Sequence, residues 1–190
     1  MILYLASSSP RRKAILEEFK VPFMSIPNLL KDEILREDLP LRHALRLLSA
    51  DKALASQSHY RGLILSADTL ISLENQIFGK PSSLEEAKKM LELLSGKTHQ
   101  VISSFSLLDT EVHRIISRTV STKITFNALS EQDISNYCLT HSPLDKSGSY
   151  GIQELPKHFI NSIQGSIYNV MGLPIGTLLT ILRRYSIVAH

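Results

Sequence analysis

Four stretches of the chain carry residue types that could do chemistry. In Leu65-Ser66-Ala67-Asp68-Thr69-Leu70, a carboxylate stands inside an apolar run. Burying it is costly unless it is paired or metal-bound. Asp68 could therefore activate water as a general base or hold a divalent cation. An aspartate at a strand end, satisfied by backbone N–H groups, is the competing reading. The second stretch, Ser7-Ser8-Ser9-Pro10-Arg11-Arg12, places two arginines where a helix should begin. The first turn of a helix has unpaired N–H groups and partial positive charge, so arginines there repel the dipole. A bound anion reverses the sign of that interaction, because guanidinium, amide and hydroxyl groups all donate to phosphate. Two solvated arginines on a capped helix remain the alternative.

The third stretch, Gly79-Lys80-Pro81, holds a lysine on a short stiff segment where its ammonium could meet a phosphate as a point charge. An exposed hairpin exit fits the same three residues. The fourth, residues 145–153, reads Asp-Lys-Ser-Gly-Ser-Tyr-Gly-Ile-Gln. Charge, aromatic ring and amide on one flexible loop suit ligand binding. Lys146 and Gln153 are its candidate substrate residues. Gln153 can both donate and accept, and Tyr150 offers a stacking face. A plain surface turn is the alternative.

The elements that must position these groups follow from periodicity and caps. Ile2–Ala6 reads as a buried strand, followed by a helix opened by Ser9-Pro10, with Ala14, Ile15 and Phe19 on its apolar side. Val21–Ile26 predicts a second strand between Pro22 and Pro27. Asp38–Ser56 predicts a helix with Ala44, Leu47, Leu48 and Leu54 inward. Gly62–Ser72 predicts the most apolar strand, then a turn at Glu74-Asn75-Gln76 and a return at Ile77-Phe78. Ser83 with Glu86 predicts a capping box ahead of a helix ended by Gly96. His99–Leu108 and Arg114–Phe126 predict two long strands, and Ser130 with Asp133 a short helix through Leu139. Leu144–Glu154 predicts a loop, and Pro174 to Arg184 a last helix. The order predicts an α/β fold with a mixed sheet flanked by helices.

Composition narrows the classes. The chain has 190 residues, 43% hydrophobic and 21% charged, close to average globular usage of about 45–50% and about 25%. The net charge of +3 is mild. One cysteine, Cys138, excludes an intrachain disulfide and a cysteine zinc cluster and suits a reducing compartment. The seven histidines form no HxxxH or HExxH pattern. The apolar N-terminus is too short for a signal segment, and no run approaches the roughly 18 apolar residues of a membrane span. A cytoplasmic protein with no membrane partner is the expectation. Aromatics at 6% argue against a dedicated nucleic-acid binder.

Taken in order, these stretches resemble one family. LASSSPRR, Lys31-Asp32-Glu33, Asp51-Lys52-Ala53, SADT, GKP, LSGKTHQV, DKSGSYGIQ and GSIYNVMGLP, from residue 3 to residue 174, are similar to the Maf family of nucleoside triphosphate pyrophosphatases. The resemblance implies one domain over residues 1–190. It implies a mixed α/β fold of the inosine triphosphate pyrophosphatase type, with two lobes around a cleft. It implies hydrolysis of a nucleoside triphosphate to monophosphate and pyrophosphate with a divalent metal, Mg²⁺ or Mn²⁺. The catalytic aspartate falls on Asp68. Substrate contacts fall on Ser7, Arg11, Arg12, Lys52, Thr69, Lys80, Lys146 and Gln153, and the metal carboxylates on Glu33 and Asp68.

Tyr-Gly-Ile-Gln with Ala-Asp-Thr resembles the branch that takes dTTP and UTP. Glu154 departs from the family's usual Gly and bears on turnover and substrate preference. A 7-methyl-GTP pyrophosphatase, or a weakly active nucleotide-binding protein linked to septum formation, are the alternatives. A homodimer is what the resemblance suggests.

Overall fold

A computed structural model describes residues 1–74 and 76–188. The N-terminal apolar run forms β1 (Leu3–Ala6), and Ser9-Pro10 opens α1 (Pro10–Glu18). The Ser9 hydroxyl accepts the Arg12 N–H, and Pro10 occupies the first turn, where its missing N–H is harmless. The inward face of α1 is Ile15 and Leu16, whereas Ala14 is exposed. Successive helical residues turn by about 100°, so a face centred on residues 15 and 16 leaves residue 14 outside. Then come β2 (Met24–Ile26), α2 (Leu41–Leu54) and β3 (Leu63–Leu73).

β4 (Gln76–Phe78) returns antiparallel on β3, while Asn75 of the expected turn lies outside the described residues. α3 (Leu84–Leu94), β5 (Thr98–Asp109), β6 (Arg114–Phe126) and α4 (Glu131–Thr140) follow as expected. Gly96, with φ of +68°, takes the left-handed conformation that stops α3. Beyond them lie β7 (Ile160–Gln164), α5 (Ile167–Val170) and α6 (Ile175–Leu182). Sequence reading found α6 but not β7 or α5.

The strands hydrogen-bond in the order β2-β1-β3-β5-β6-β7, with β4 paired to β3 off that path. β1 runs parallel to both β2 and β3, and β6 runs antiparallel to β7. The fold is therefore mixed α/β. Among the described residues, no helix is long and apolar enough to cross a membrane.

The chain divides into two compact units. The first comprises Met1–Asp68, Ser103–Val120 and the stretch from Gly172 onward. Its core includes Ala6, Ile26, Ala53, Ile64 and Leu108, with Tyr4 and Tyr60 packed against them. α2 turns Ala44, Leu45, Leu48, Ser49, Lys52 and Ala53 inward. Leu54, expected on that face, is 39% exposed, and Lys52 takes an inward position instead.

The second unit comprises Thr69–Ile102 and Ser121–Met171. Its core includes an aromatic cluster. The Phe126 ring meets His99, Tyr150 and Phe159 at 4.9, 5.1 and 6.5 Å between centroids. Tyr150 is thus a core residue, with its hydroxyl 2.7 Å from His99 Nε2, and not an open stacking face. Its loop is also more ordered than expected, containing short 3-10 turns at Pro143–Asp145 and Ser147–Ser149. Gly148 sits there at φ of +65°, donating to the Gly79 carbonyl at 2.9 Å. A Cβ at Gly148 would strain this backbone and also press on the Ile71 side chain, which would have to shift. The Ser83 cap is half of the expected box. Its hydroxyl accepts the Glu86 N–H at 3.1 Å, but the Glu86 carboxylate binds Ser82.

Candidate active site

In the first unit, the turn between β1 and α1 is set by its serines. Ser7 Oγ accepts the Ser9 N–H at 3.3 Å and a bond from Arg12 Nη1 at 3.0 Å. Arg12 Nε donates to the Gly172 carbonyl at 3.0 Å. The guanidinium is thereby fixed at two of its nitrogens. Gly172 belongs to the GSIYNVMGLP stretch, but a backbone carbonyl carries no sequence signal for such a role. Burial pulls the Arg12 guanidinium below its ordinary value, and neighbouring Arg11 adds to this, whereas Asp68 and Glu33 oppose it. Arginine stays charged in proteins regardless.

Lys52 reaches from α2 to β3. Its ammonium pairs with Asp68 Oδ1 and lies 2.7 Å from Glu33 Oε2. Lys52 and Asp68 side chains are 7% and 13% exposed, whereas Glu33 is 49% exposed. The cluster is thus graded from a dry end at Asp68 to a wet end at Glu33. Asn28 Nδ2 donates to Glu33 Oε1 at 2.8 Å, and the Leu30 N–H donates to Asn28 Oδ1 at 3.1 Å. Sequence reading missed Asn28, because an asparagine after a proline reads as ordinary turn chemistry.

Asp68 Oδ2 is buried with no hydrogen-bond partner among the described residues. Burial raises the Asp68 carboxyl above its ordinary value, outweighing the opposing pull of Arg12 and Lys52. Position among cations would by itself make a weak base; burial acts in the other direction and brings the group closer to what general-base work needs. The orphaned Oδ2 and the Glu33 carboxylate are hard oxygen donors of the kind Mg²⁺ and Mn²⁺ take. Among the described residues, no three or more His, Cys, Asp or Glu side chains are grouped so that they could hold a metal ion by themselves. The protein would therefore supply one or two carboxylates, which fits an ion completed by substrate phosphates and water.

The other candidates belong to the second unit. The Thr69 carbonyl accepts from Ser147 Oγ at 3.1 Å, and Gly79, beside exposed Lys80, accepts the Gly148 N–H. Gln153 is exposed. Lys146 is buried. Its side chain is 4% exposed, and its ammonium meets Ser142 O at 2.6 Å, Asp145 Oδ1 at 2.8 Å and Glu154 Oε2 at 3.1 Å. Three oxygens of its own loop surround it. Glu154 is one of these partners, a use that its sequence context did not suggest.

On a mixed α/β frame, Asp68 and Glu33 thus share the Lys52 ammonium, and Arg12 bears electrostatically on Asp68. The Maf-like protein pattern matches residues 2–185, and the chain belongs to the Maf family. The dTTP/UTP pyrophosphatase of Bacillus cereus (strain G9842) is 38% identical over 189 residues, covering 99% of this chain and 98% of its own. That of Clostridioides difficile (strain 630) is 39% identical over 186 residues, covering 97% and 95%. Among solved structures, a HAM1 protein from Coxiella burnetii overlaps with a TM-score of 0.48 at 16% identity, covering 97% of this chain and all of its own.

Proposed function

We propose that the chain is a hydrolase that converts dTTP and UTP to the monophosphate and pyrophosphate. The observation that carries this reading is the pairing of Asp68 with Lys52 through one carboxylate oxygen, leaving Oδ2 buried and unpartnered. The names of its full-length relatives support the substrate class.

In this reading the Ser7–Arg12 turn receives the triphosphate. Arg11, Arg12 and Lys52 hold its charge, and the hydroxyl of Ser7 keeps Arg12 aimed. Asp68 takes a proton from the attacking water, whose oxygen bonds to the α-phosphorus. The bond from that phosphorus to the bridging oxygen breaks, and pyrophosphate leaves with the bonding pair. Glu33 and Asp68 would hold Mg²⁺ or Mn²⁺, which supplies charge neutralisation and a more acidic water. In the second unit, Thr69, Lys80 and Gln153 are the further substrate residues that the resemblance implies. Lys146 acts through its own loop.

The test is a panel of triphosphates with Mg²⁺ or Mn²⁺ and detection of released pyrophosphate. Release with dTTP and UTP is expected. Preference for 7-methyl-GTP, or tight binding without release, would contradict the reading.

A further inference from the structure

We infer that the groove at the start of α2 is a second anion site, built for a small phosphate polyanion such as inorganic pyrophosphate. The groove has a volume of about 440 Å³, within the range of small-molecule sites. Arg42, His43 and Arg46 line it from α2, and Ser117, Arg118 and Thr119 from β6. Its lining holds three guanidinium groups and no Asp or Glu. Like charges gathered in one concavity repel, and a bound polyanion turns that repulsion into attraction.

The site is also held in shape. Arg42 Nη2 donates to the Thr119 carbonyl at 3.1 Å and Arg118 Nη1 to the Ser117 carbonyl at 2.8 Å. Arg46 Nη2 lies 3.4 Å from His43 Nδ1. A guanidinium has five N–H donors, so these tethers leave Arg46 and Arg118 with others for a ligand. Behind them is a wall of hydroxyls. Ser117 Oγ lies 2.7 Å from Ser106 Oγ, and Thr119 Oγ1 donates to Ser104 Oγ at 3.2 Å. Both inner serines meet Ser49 Oγ of α2, at 2.8 and 3.2 Å.

The helix end adds to this. α2 begins at Pro40 with no side-chain cap and no acidic residue in its first turn. The positive end of its dipole opens on the groove with Arg42 and His43 beside it, the reverse of what favours an empty helix start. Lys52 lies six residues beyond Arg46, about 9 Å along the axis. The groove shares no lining residue with the Asp68–Lys52–Glu33 cluster, although both draw on α2. No Phe, Tyr or Trp lines it, so His43 is its one ring and it lacks the row of stacking surfaces that would mark a single-stranded nucleic-acid site.

The experiment titrates the full chain with inorganic pyrophosphate in the absence of divalent metal, by calorimetry at low ionic strength. Two sites per chain are expected. In the doubly substituted Arg46→Ala, Arg118→Ala protein, one should weaken by at least about tenfold, the scale of one lost charged hydrogen bond. dTTP turnover without added pyrophosphate should stay within about threefold of wild type. Arg12→Ala should weaken only the other site. Arg46→Lys with Arg118→Lys keeps the charge but loses the planar fork, and should weaken binding by less. It also serves as the test if the alanine protein fails to fold. Isotherms that match wild type in both double variants would overturn the proposal. So would a single site abolished by Arg12→Ala, or binding of a duplex oligonucleotide without binding of pyrophosphate. Because binding is read without turnover, loss of the proposed pyrophosphatase activity would leave this result standing.

Discussion

Lys52 on α2 and Asp68 on β3 form a buried ion pair that uses one oxygen of the carboxylate, while the other, Oδ2, is buried with no hydrogen-bond partner among the described residues. An unsatisfied acceptor in a dry place is a standing cost of about 1–3 kcal/mol. It is the kind of local inconsistency that functional sites retain.

That cost has a pH signature. Burial raises the folded-state value for Asp68 above its ordinary 3.8, against Arg12 and Lys52. Between those two values the folded protein binds more protons than the unfolded chain, so stability falls as pH rises through the window. Asp68→Asn removes the ionisation. Its thermal midpoint should gain on wild type as pH rises from about 4 upward, followed by calorimetry. A difference that does not vary with pH would contradict this.

Arg12 holds Ser7 and the Gly172 carbonyl, so Arg12→Ala should lower the thermal midpoint as well as raise KM. Arg11→Ala should raise KM for dTTP by about ten- to a hundredfold for a lost charged hydrogen bond. Steady-state kinetics on both variants and a thermal melt of Arg12→Ala check this. An unchanged KM in Arg11→Ala, or an unchanged midpoint in Arg12→Ala, would count against it.

The caps and breaks of the fold were legible, because they need only three or four adjacent residues. Ser9-Pro10 and the Ser130–Asp133 box act as read. β7 was not legible. Ile160-Asn161-Ser162-Ile163-Gln164 has little strand propensity of its own and pairs with β6, with Ile160 opposite Phe126 and Gln164 opposite Lys123. Long-range partners also hid the burial of Lys52 and Tyr150. Local patterning sends a lysine outward and offers a tyrosine as a surface ring. Asp68 on β3 and the His99–Phe126–Tyr150 contacts decide otherwise. The candidate acid itself stood out because it broke an apolar run.

His99 supplies an opposite slope. Burial lowers its imidazole from 6.5 to about 4. Between those values the unfolded chain binds the extra proton, so stability present above pH 6.5 is lost as pH falls toward 4. The full loss is on the order of 3 kcal/mol. In urea titrations His99→Gln should be less stable at neutral pH but show a flatter fall between about pH 6.5 and 4. An unchanged slope would remove His99 as the source.

Lys146 has three oxygen partners, of which Glu154 is 38% exposed and Asp145 55% exposed. Glu154→Gln should cost under about 1 kcal/mol, because a partly exposed ion pair is weak and the other contacts remain. Lys146→Met loses all three contacts of the ammonium at once, charge-assisted bonds included, and should cost about 1–3 kcal/mol. Urea midpoints check both. A larger loss in Glu154→Gln than in Lys146→Met would reverse the ranking.

The central claim is that Asp68 takes the proton from the attacking water. Single-turnover hydrolysis of dTTP by Asp68→Asn, with Mg²⁺ present and circular dichroism confirming the native fold, tests it most directly. The account predicts a loss of at least about 10²-fold in the rate of pyrophosphate release. A native-like variant that turns over dTTP at the wild-type rate would contradict it.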